Sequence, residues 1–244
     1  ELLINPWARS SGWWGCNSAS VRGLEAMHLN IAGTAFTKRT EVLFSHNIWL
    51  YGSDIKINSF GVTQALGKSG GVLGVGVSSM SFGDIIIRTV EQPEGGIGKF
   101  SPSFLNIGLS YAKAFSNSIY GGLNVRIINE NTSDIRGQGI VFDAGIQYVT
   151  GLKEGEENIK FGISMKNVGP KMSYKGDGIT FTGPMPGSTD NSVTMTLSHR
   201  SADFELPSLV NIGVAYDYNI SKNHSLTGAA TFTSNSFTND QYSI

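Results

Sequence analysis

Two short motifs in this sequence contain residue types that enzymes use, but neither has the full pattern. Gly67-Lys68-Ser69 resembles the end of a phosphate-binding loop, which needs another Gly five residues before Gly67, where Val62 stands. Gly162-Ile163-Ser164 begins like a nucleophile elbow, but Lys166 replaces its last Gly and the segment alternates like a strand. The first motif therefore predicts a hairpin turn, and the second predicts a β-strand.

The histidines and the cysteine are too scattered to form a metal site or a catalytic pair. His28, His46, His199 and His224 are far apart in the chain, and none has a second ligand at metal-binding spacing. Cys16 is the single cysteine, so it cannot form an intramolecular disulfide. We predict that the protein is not an enzyme, that it has no catalytic residues, and that it uses no cofactor and no metal.

Charged residues are scarce, and apolar residues never form a long run. Only 15% of the 244 residues are charged, against roughly 25% in soluble domains. No stretch approaches the roughly 18 apolar residues of a spanning helix, and the net charge of −1 offers no basic surface for nucleic acid. A closed β-barrel fits both observations, because only alternate residues of its strands face lipid.

Apolar and small or polar residues alternate along nine segments that are about long enough to cross a bilayer. Leu105, Ile107 and Leu109, for example, alternate with Asn, Gly and Ser. This period of two is typical of transmembrane strands. The nine predicted strands lie near 42–50, 55–65, 72–82, 105–115, 119–127, 140–148, 159–166, 210–218 and 225–234, and 241–244 resembles the start of a tenth. Charged residues on the polar face are expected to point inward and to pair across strands: Arg126, Asp143, Lys160 and Lys166.

Alternation alone also fits a soluble β-sandwich, and the lengths of the connections decide between the two. The links after the second, fourth, sixth and eighth strands are short: 67–70, 116–118, 151–158 and 221–224. The intervening links are mostly longer, notably 83–103, 130–138 and 168–207. Outer-membrane barrels have short periplasmic turns and long extracellular loops. We therefore predict an all-β, transmembrane, up-and-down antiparallel β-barrel in a bacterial outer membrane.

The chain divides into two parts. Residues 1–40 are not strand-like, so we expect them to line or plug the lumen, with 41–244 forming the barrel. Bacterial single-chain barrels have even strand numbers, and an open edge in lipid would leave backbone groups unpaired. We therefore expect that C-terminal strands of the barrel are missing from this sequence.

The two longest loops are the predicted contact surface for protein partners. Loops of such length in a compact protein are usually functional or disordered. Their Pro and aromatic residues limit their freedom, which lowers the entropy lost on binding. The predicted partner-binding residues are Asp84, Phe100, Pro102, Pro170, Tyr174 and Pro184.

An ordered series of short motifs from the N-terminus to about residue 175 resembles a known family. The motifs are Leu2-Leu3-Ile4-Asn5-Pro6-Trp7-Ala8-Arg9-Ser10-Ser11-Gly12, the stretch from Glu25 to Gly33, Ser81-Phe82-Gly83-Asp84, Phe100-Ser101-Pro102-Ser103 and Lys166-Asn167-Val168-Gly169-Pro170. Together they are similar to the PorV/PorQ family, most of all to its PorV branch. These are FadL-like outer-membrane barrels of the Bacteroidota type IX secretion system.

The resemblance implies a barrel of about fourteen strands that does no catalysis. PorV-like proteins bind the large translocon barrel SprA and accept secreted cargo through its C-terminal signal domain. They then pass the cargo to an attachment complex at the cell surface, within which PorQ-like members act. The implied partners are therefore the translocon, the cargo, the attachment complex and the lipid bilayer.

Two other functions remain open from the sequence. A FadL-like channel for hydrophobic small molecules would need an apolar pocket in the lumen, whereas the inward positions are Gly, Ser, Asn and charged residues. A lipid-modifying barrel enzyme would need a serine and histidine pair at the membrane interface, for which His199 is the residue to inspect.

Overall fold

The computed structural model describes residues 2–67, 70–152, 157–184, 194–221 and 224–244. Its N-terminal part contains the short helices α1 (Ala8–Gly12) and α2 (Ala26–Leu29), and 3₁₀ helices at Cys16–Ala19 and Ile31–Phe36. A third 3₁₀ helix lies at Asp177–Ile179. None of the helices in the described ranges has the length and the apolar character that crossing a membrane requires.

The remaining regular structure is β-strand. The strands are β1 (Thr40–Ile48), β2 (Lys56–Ala65), β3 (Val72–Ser81), β4 (Ile85–Ile86), β5 (Lys99–Phe100), β6 (Ser103–Ala114), β7 (Ile119–Thr132), β8 (Ile135–Thr150), β9 (Ile159–Val168), β10 (Tyr174–Lys175), β11 (Thr180–Pro184), β12 (Thr194–Ser198), β13 (Leu209–Ser221), β14 (His224–Asn235) and β15 (Gln241–Ser243). All of their pairings are antiparallel.

Ten long or terminal strands form one sheet in which each pairs with the next of the ten along the chain. The order is β1-β2-β3-β6-β7-β8-β9-β13-β14-β15, and β10 adds to the side of β8. The pairs β4–β5 and β11–β12 are separate hairpins. All nine predicted strands are confirmed, and β15 confirms the start of a tenth. In the described residues β1 and β15 do not pair with each other.

The prediction of a long loop at 130–138 is wrong. The strands β7 and β8 continue to Thr132 and from Ile135, so only Ser133 and Asp134 connect them. Ser133 has a φ of 49°, which allows the tight reversal. The prediction failed because the outward residues at this end of the hairpin are Asn129, Asn131, Arg136 and Gln138. The hydrophobic alternation therefore stops while the strand pairing continues.

The sheet buries its polar face and exposes its apolar face. Leu109 and Leu123 are 60% and 64% exposed, whereas Ser110 and Asn124 are 2% and 1% exposed. A soluble sheet shows the opposite arrangement, because burial of apolar surface drives its folding. The alternation predicted from the sequence is confirmed, and its apolar side is the outer side.

The N-terminal segment packs on the buried polar face of the sheet. The Asn30 side-chain amide donates to the carbonyl oxygens of Ser18 and Ile146 at 2.9 and 3.2 Å. The hydroxyl of Ser164, on β9, donates to the Leu29 carbonyl at 3.0 Å. A glycine allows the close approach, since a Cβ at Gly162 would lie 2.6 Å from the Ser18 carbonyl oxygen. Residues 2–37 thus occupy the side of the sheet on which a plug was expected.

Candidate functional site

The predicted contact loop after β3 folds into a small hairpin. β4 and β5 pair, with Ile85 opposite Phe100. The Ser101 hydroxyl donates to Asp84 Oδ1 at 2.6 Å, and Lys99 Nζ lies 3.6 Å from Asp84 Oδ2. The hydrogen bond from Ser101, followed by the charge of Lys99, holds the pKa of Asp84 below its ordinary value. Asp84 therefore stays ionised and fixes the base of the hairpin.

Phe100 and Pro102 also belong to this base. Both are half-buried, and the Pro102 carbonyl accepts a hydrogen bond from the Phe82 N–H at 3.2 Å. The rings of Phe82 and Phe104 meet edge to face with centroids 5.1 Å apart. The tip of the hairpin is the exposed part, and its Val90 is 99% exposed. Sequence reasoning missed Val90, although an apolar residue within a polar, Gly-rich loop is a signal for contact.

The base of the second long loop folds back over the inner face of the sheet. Met172 and Leu206 are buried with Ile128 and Val141 of the β7–β8 hairpin and with Leu2 of the N-terminal segment. The backbones of Met172 and Phe204 exchange hydrogen bonds of 2.9 and 2.8 Å. These contacts fix the two ends of the loop, so the loop leaves the sheet in a defined direction.

Tyr174 fastens this loop to the β7–β8 hairpin. Its backbone pairs with Gly137, its ring stacks on Phe204 at a centroid distance of 5.2 Å, and its hydroxyl donates to Glu130 Oε2 at 2.5 Å. Burial, followed by the hydrogen bond and the charge of Glu130, raises the pKa of Tyr174 to about 12. Tyr174 was predicted to contact a partner, but its ring and hydroxyl contact Phe204 and Glu130 of this chain, so it anchors its own loop.

Pro170 and Pro184 are exposed and lie apart from that anchor. Pro170 follows β9, and Pro184 ends β11 of the β11–β12 hairpin. The motif Met185-Pro186, which belongs to the same predicted loop, lies outside the described residues. No hydrogen bond, ion pair or ring contact among the described residues joins this loop to the one that contains Asp84. The two loops thus present two separate surfaces.

An open groove of about 550 Å³ lies beside Tyr174 in the second loop. Lys175, His199 and Arg200 line it together with Asp203 and three serines. Cations outnumber the single carboxylate, so the groove is suited to acidic or hydroxyl-bearing groups of a partner. The His199 ring stacks on Phe181 with centroids 4.6 Å apart and makes no side-chain hydrogen bond within the described ranges. The geometry therefore gives the lipid-modifying alternative no serine–histidine pair at His199.

Two separate ion pairs lie on the inner face, one midway along β7 and β8 and the other at the short-turn end of β9 and β13. Arg126 Nε and Nη2 donate to Asp143 Oδ2 and Oδ1 at 2.7 and 2.8 Å, and Asn167 also contacts both residues. Lys160 Nζ lies 2.5 Å from Asp217 Oδ2. The predicted inward direction of Arg126, Asp143, Lys160 and Lys166 is confirmed, and so is cross-strand pairing for the first three.

The described residues contain no cluster of three or more His, Cys, Asp or Glu side chains that could hold a metal ion. The comparisons with known proteins give no assignment. No protein-family model matches the sequence, and no curated protein is significantly similar to it.

Proposed function

We propose that this chain is a non-enzymatic outer-membrane β-barrel that binds protein partners through its long loops. The observation that carries the proposal is the inverted burial of the sheet, with apolar residues outside and polar residues inside. Lipid is the solvent that makes such an arrangement favourable. The ten-stranded sheet is, on this proposal, part of a FadL-like barrel of about fourteen strands.

The height of the apolar surface supports a membrane location. On β8 the outward residues are apolar from Ile140 to Tyr148, which spans 148 − 140 = 8 steps. At roughly 3.3 Å per residue and a tilt of about 40°, these steps cover roughly 20 Å of bilayer before the side chains themselves are counted. The next outward residues toward the β7–β8 turn, Gln138 and Arg136, are polar and mark the end of the apolar surface. This height agrees with the apolar band of about 25 Å that surrounds outer-membrane barrels.

The filled inner face favours a role in binding over a role in passage. Gln147 donates to the carbonyl oxygens of Ser18 and Val21 at 3.2 and 3.1 Å, in addition to the contacts of Asn30. A FadL-like channel for hydrophobic small molecules would have to break several such buried hydrogen bonds, each worth about 1 kcal/mol. The FadL-like channel is therefore the second candidate function, after partner binding.

The partners follow from the resemblance to PorV-like proteins together with the loop structure. We propose that the two loop surfaces face the cell exterior and bind a large SprA-like translocon barrel, the C-terminal signal domain of secreted cargo, and the surface attachment complex. The exposed tip at Val90 and the groove at Lys175 and Arg200 are the two contact points that the geometry favours.

Site-specific photo-crosslinking in the native outer membrane tests this proposal. A photoreactive residue at Val90 or Pro184 should capture a very large barrel or proteins that share a C-terminal secretion domain, identified by mass spectrometry. The same residue at Asn117, in a short turn at the opposite end of the sheet, is the matched control and should capture neither. Capture of lipid alone from both loops would overturn the partner-binding proposal and favour the channel.

A further inference from the structure

Arg136 and Lys175 are two cations that lie opposite each other on neighbouring strands. Lys175 of β10 pairs directly with Arg136 of β8, so their side chains leave the sheet on the same side. Both are exposed, and neither forms an ion pair with a carboxylate of the described residues, although Asp134 and Asp177 are close in sequence. Like charges in directly opposite positions repel each other. This position therefore favours an external anion.

Amide side chains extend the cationic pair on the same, outer side of the sheet. Asn131 of β7 pairs with Arg136 across the other edge of β8, and Asn129 pairs with Gln138 in the adjacent outward row. Asn129 and Asn131 are half-buried, and their Oδ1 atoms accept no hydrogen bond from any described residue. An unpaired buried acceptor is unfavourable, and rotation of the amide can turn it toward a donor outside the chain. We call these five residues the outer polar patch: Asn129, Asn131, Arg136, Gln138 and Lys175.

The outer polar patch lies directly beyond the apolar surface of the sheet. Ile127 and Ile140 face each other on β7 and β8, are 55% and 47% exposed, and are the last apolar outward residues before the patch. Gln138 and Arg136 lie two and four residues beyond Ile140, which is roughly 5 and 10 Å along the membrane normal at a strand tilt of about 40°. The polar layer on each side of a hydrocarbon core is roughly 5–8 Å thick, so the patch lies at the height of lipid head groups.

We propose that the outer polar patch binds the head group of a phosphorylated glycolipid in the outer leaflet. The phosphate pairs with Arg136 and Lys175, and the sugar hydroxyls form hydrogen bonds with the amides of Asn131 and Gln138. The inference rests on the proposed membrane location, with the long loops at the cell exterior, and adds a lipid to the proposed protein partners. Because Lys175 also lines the groove of the second loop, the bound head group borders that groove.

Native mass spectrometry of the purified full chain in a non-ionic detergent tests the patch by titration with one lipid at a time. The anionic probes are monophosphoryl lipid A and dioleoyl phosphatidate, which has a phosphate but no sugar, and dioleoyl phosphatidylcholine is the net-neutral probe. The double variant Arg136→Gln, Lys175→Gln should weaken binding of monophosphoryl lipid A by about tenfold or more, since each cation attracts anionic lipid. The matched control Lys38→Gln, Lys113→Gln removes the same charge at the opposite end of the sheet and should leave the affinity unchanged.

Further variants separate the phosphate contact from the sugar contact. Arg136→Lys keeps the charge and should keep most of the affinity for both anionic lipids. The wild type should bind monophosphoryl lipid A more tightly than dioleoyl phosphatidate. Asn131→Ala should remove most of this preference and leave the affinity for dioleoyl phosphatidate unchanged, because the hydroxyl partner is absent from that lipid. Equal binding of all three lipids by the wild type would overturn the inference.

Flotation with vesicles separates this inference from the proposed function. The wild type and the double variant should both float with vesicles of dioleoyl phosphatidylcholine, because their apolar rows are identical. A wild type that does not float would overturn the membrane location and the inference with it. If both proteins float and bind monophosphoryl lipid A equally, or if the matched control loses as much affinity as the double variant, the inference alone is overturned.

Discussion

The hydroxyl of Tyr174 donates to the carboxylate of Glu130 across 2.5 Å, and this contact joins the longest loop to the end of the β7–β8 hairpin. The backbone pairing of β10 with β8 attaches the same part of the loop to the same hairpin. The loop therefore begins from a fixed base, which is what a binding surface of defined shape requires.

Tyr174→Phe should loosen this base without unfolding the sheet. The hydrogen bond to a charged acceptor is half-buried, so we expect its loss to cost about 1 kcal/mol, or roughly a fivefold rise in local opening. Limited proteolysis within 169–208 would measure the rise. Tyr51→Phe, at a fully exposed loop residue, is the control and should leave the cleavage rate unchanged. Equal rates for both variants would contradict the anchoring role.

The attachment of the loop should also fail at alkaline pH. The pKa of Tyr174 is raised to about 12 in the fold, against about 10 for a free tyrosine. A raised acid pKa means that the fold favours the protonated phenol, so its stabilising contribution is complete below pH 10 and is lost between about pH 10 and 12. Proteolysis of the wild type should accelerate over that range, and Tyr174→Phe should remove the pH dependence. A wild-type rate that stays flat to pH 12 would be inconsistent with this.

Asp143→Asn should be among the most destabilising single changes in the sheet. It leaves Arg126, a 7% exposed cation, without its counter-charge, and removal of one partner of a buried pair costs about 3–5 kcal/mol. Urea unfolding in lipid vesicles would measure the free energy of unfolding. Lys171→Met disrupts the exposed Lys171–Glu205 pair and serves as the comparison, with no measurable change expected. A stable Asp143→Asn protein would show that the pair is dispensable.

Gly162→Ala should push the N-terminal segment away from the sheet. The added Cβ would lie 2.6 Å from both the Ala19 Cα and the Ser18 carbonyl oxygen, so backbone must move, at a cost of about 1–3 kcal/mol. Gly228→Ala is the matched control, because a Cβ there meets nothing within 4 Å. Protease access to residues 2–37 should increase in the first variant only. If both variants protect these residues equally, the close packing is not required.

The sequence predicted the main strands well because one face of the sheet is apolar and the other is polar, which imposes a period of two on each strand. The pattern ends where the outward residues become polar, as at Asn129 and Gln138, which is why the sequence predicts a loop where the β7–β8 hairpin continues. The two-residue strands β4, β5 and β10 are too short for any period to be recognised.

The contacts of the candidate sites were less accessible to prediction. The inward direction of Lys166 follows from alternation. That no carboxylate of the described residues pairs with it depends on how Asn124 and Asn167 fill the oxygens of Asp143. Asn167 does so with a φ of 58°, beside a register shift between β8 and β9. Such a local irregularity has no signature in the spacing of residue types.

The length of β7 and β8 has a mechanical consequence. From Asn129 to Thr132 the hairpin continues beyond the apolar rows by four residues, or roughly 13 Å along the strand. Cross-strand hydrogen bonds along these residues make this extension stiff in the direction of the strands. A pull on the second loop would therefore load these bonds in shear and be carried into the sheet, so that the base of the loop would keep a constant height above the apolar rows.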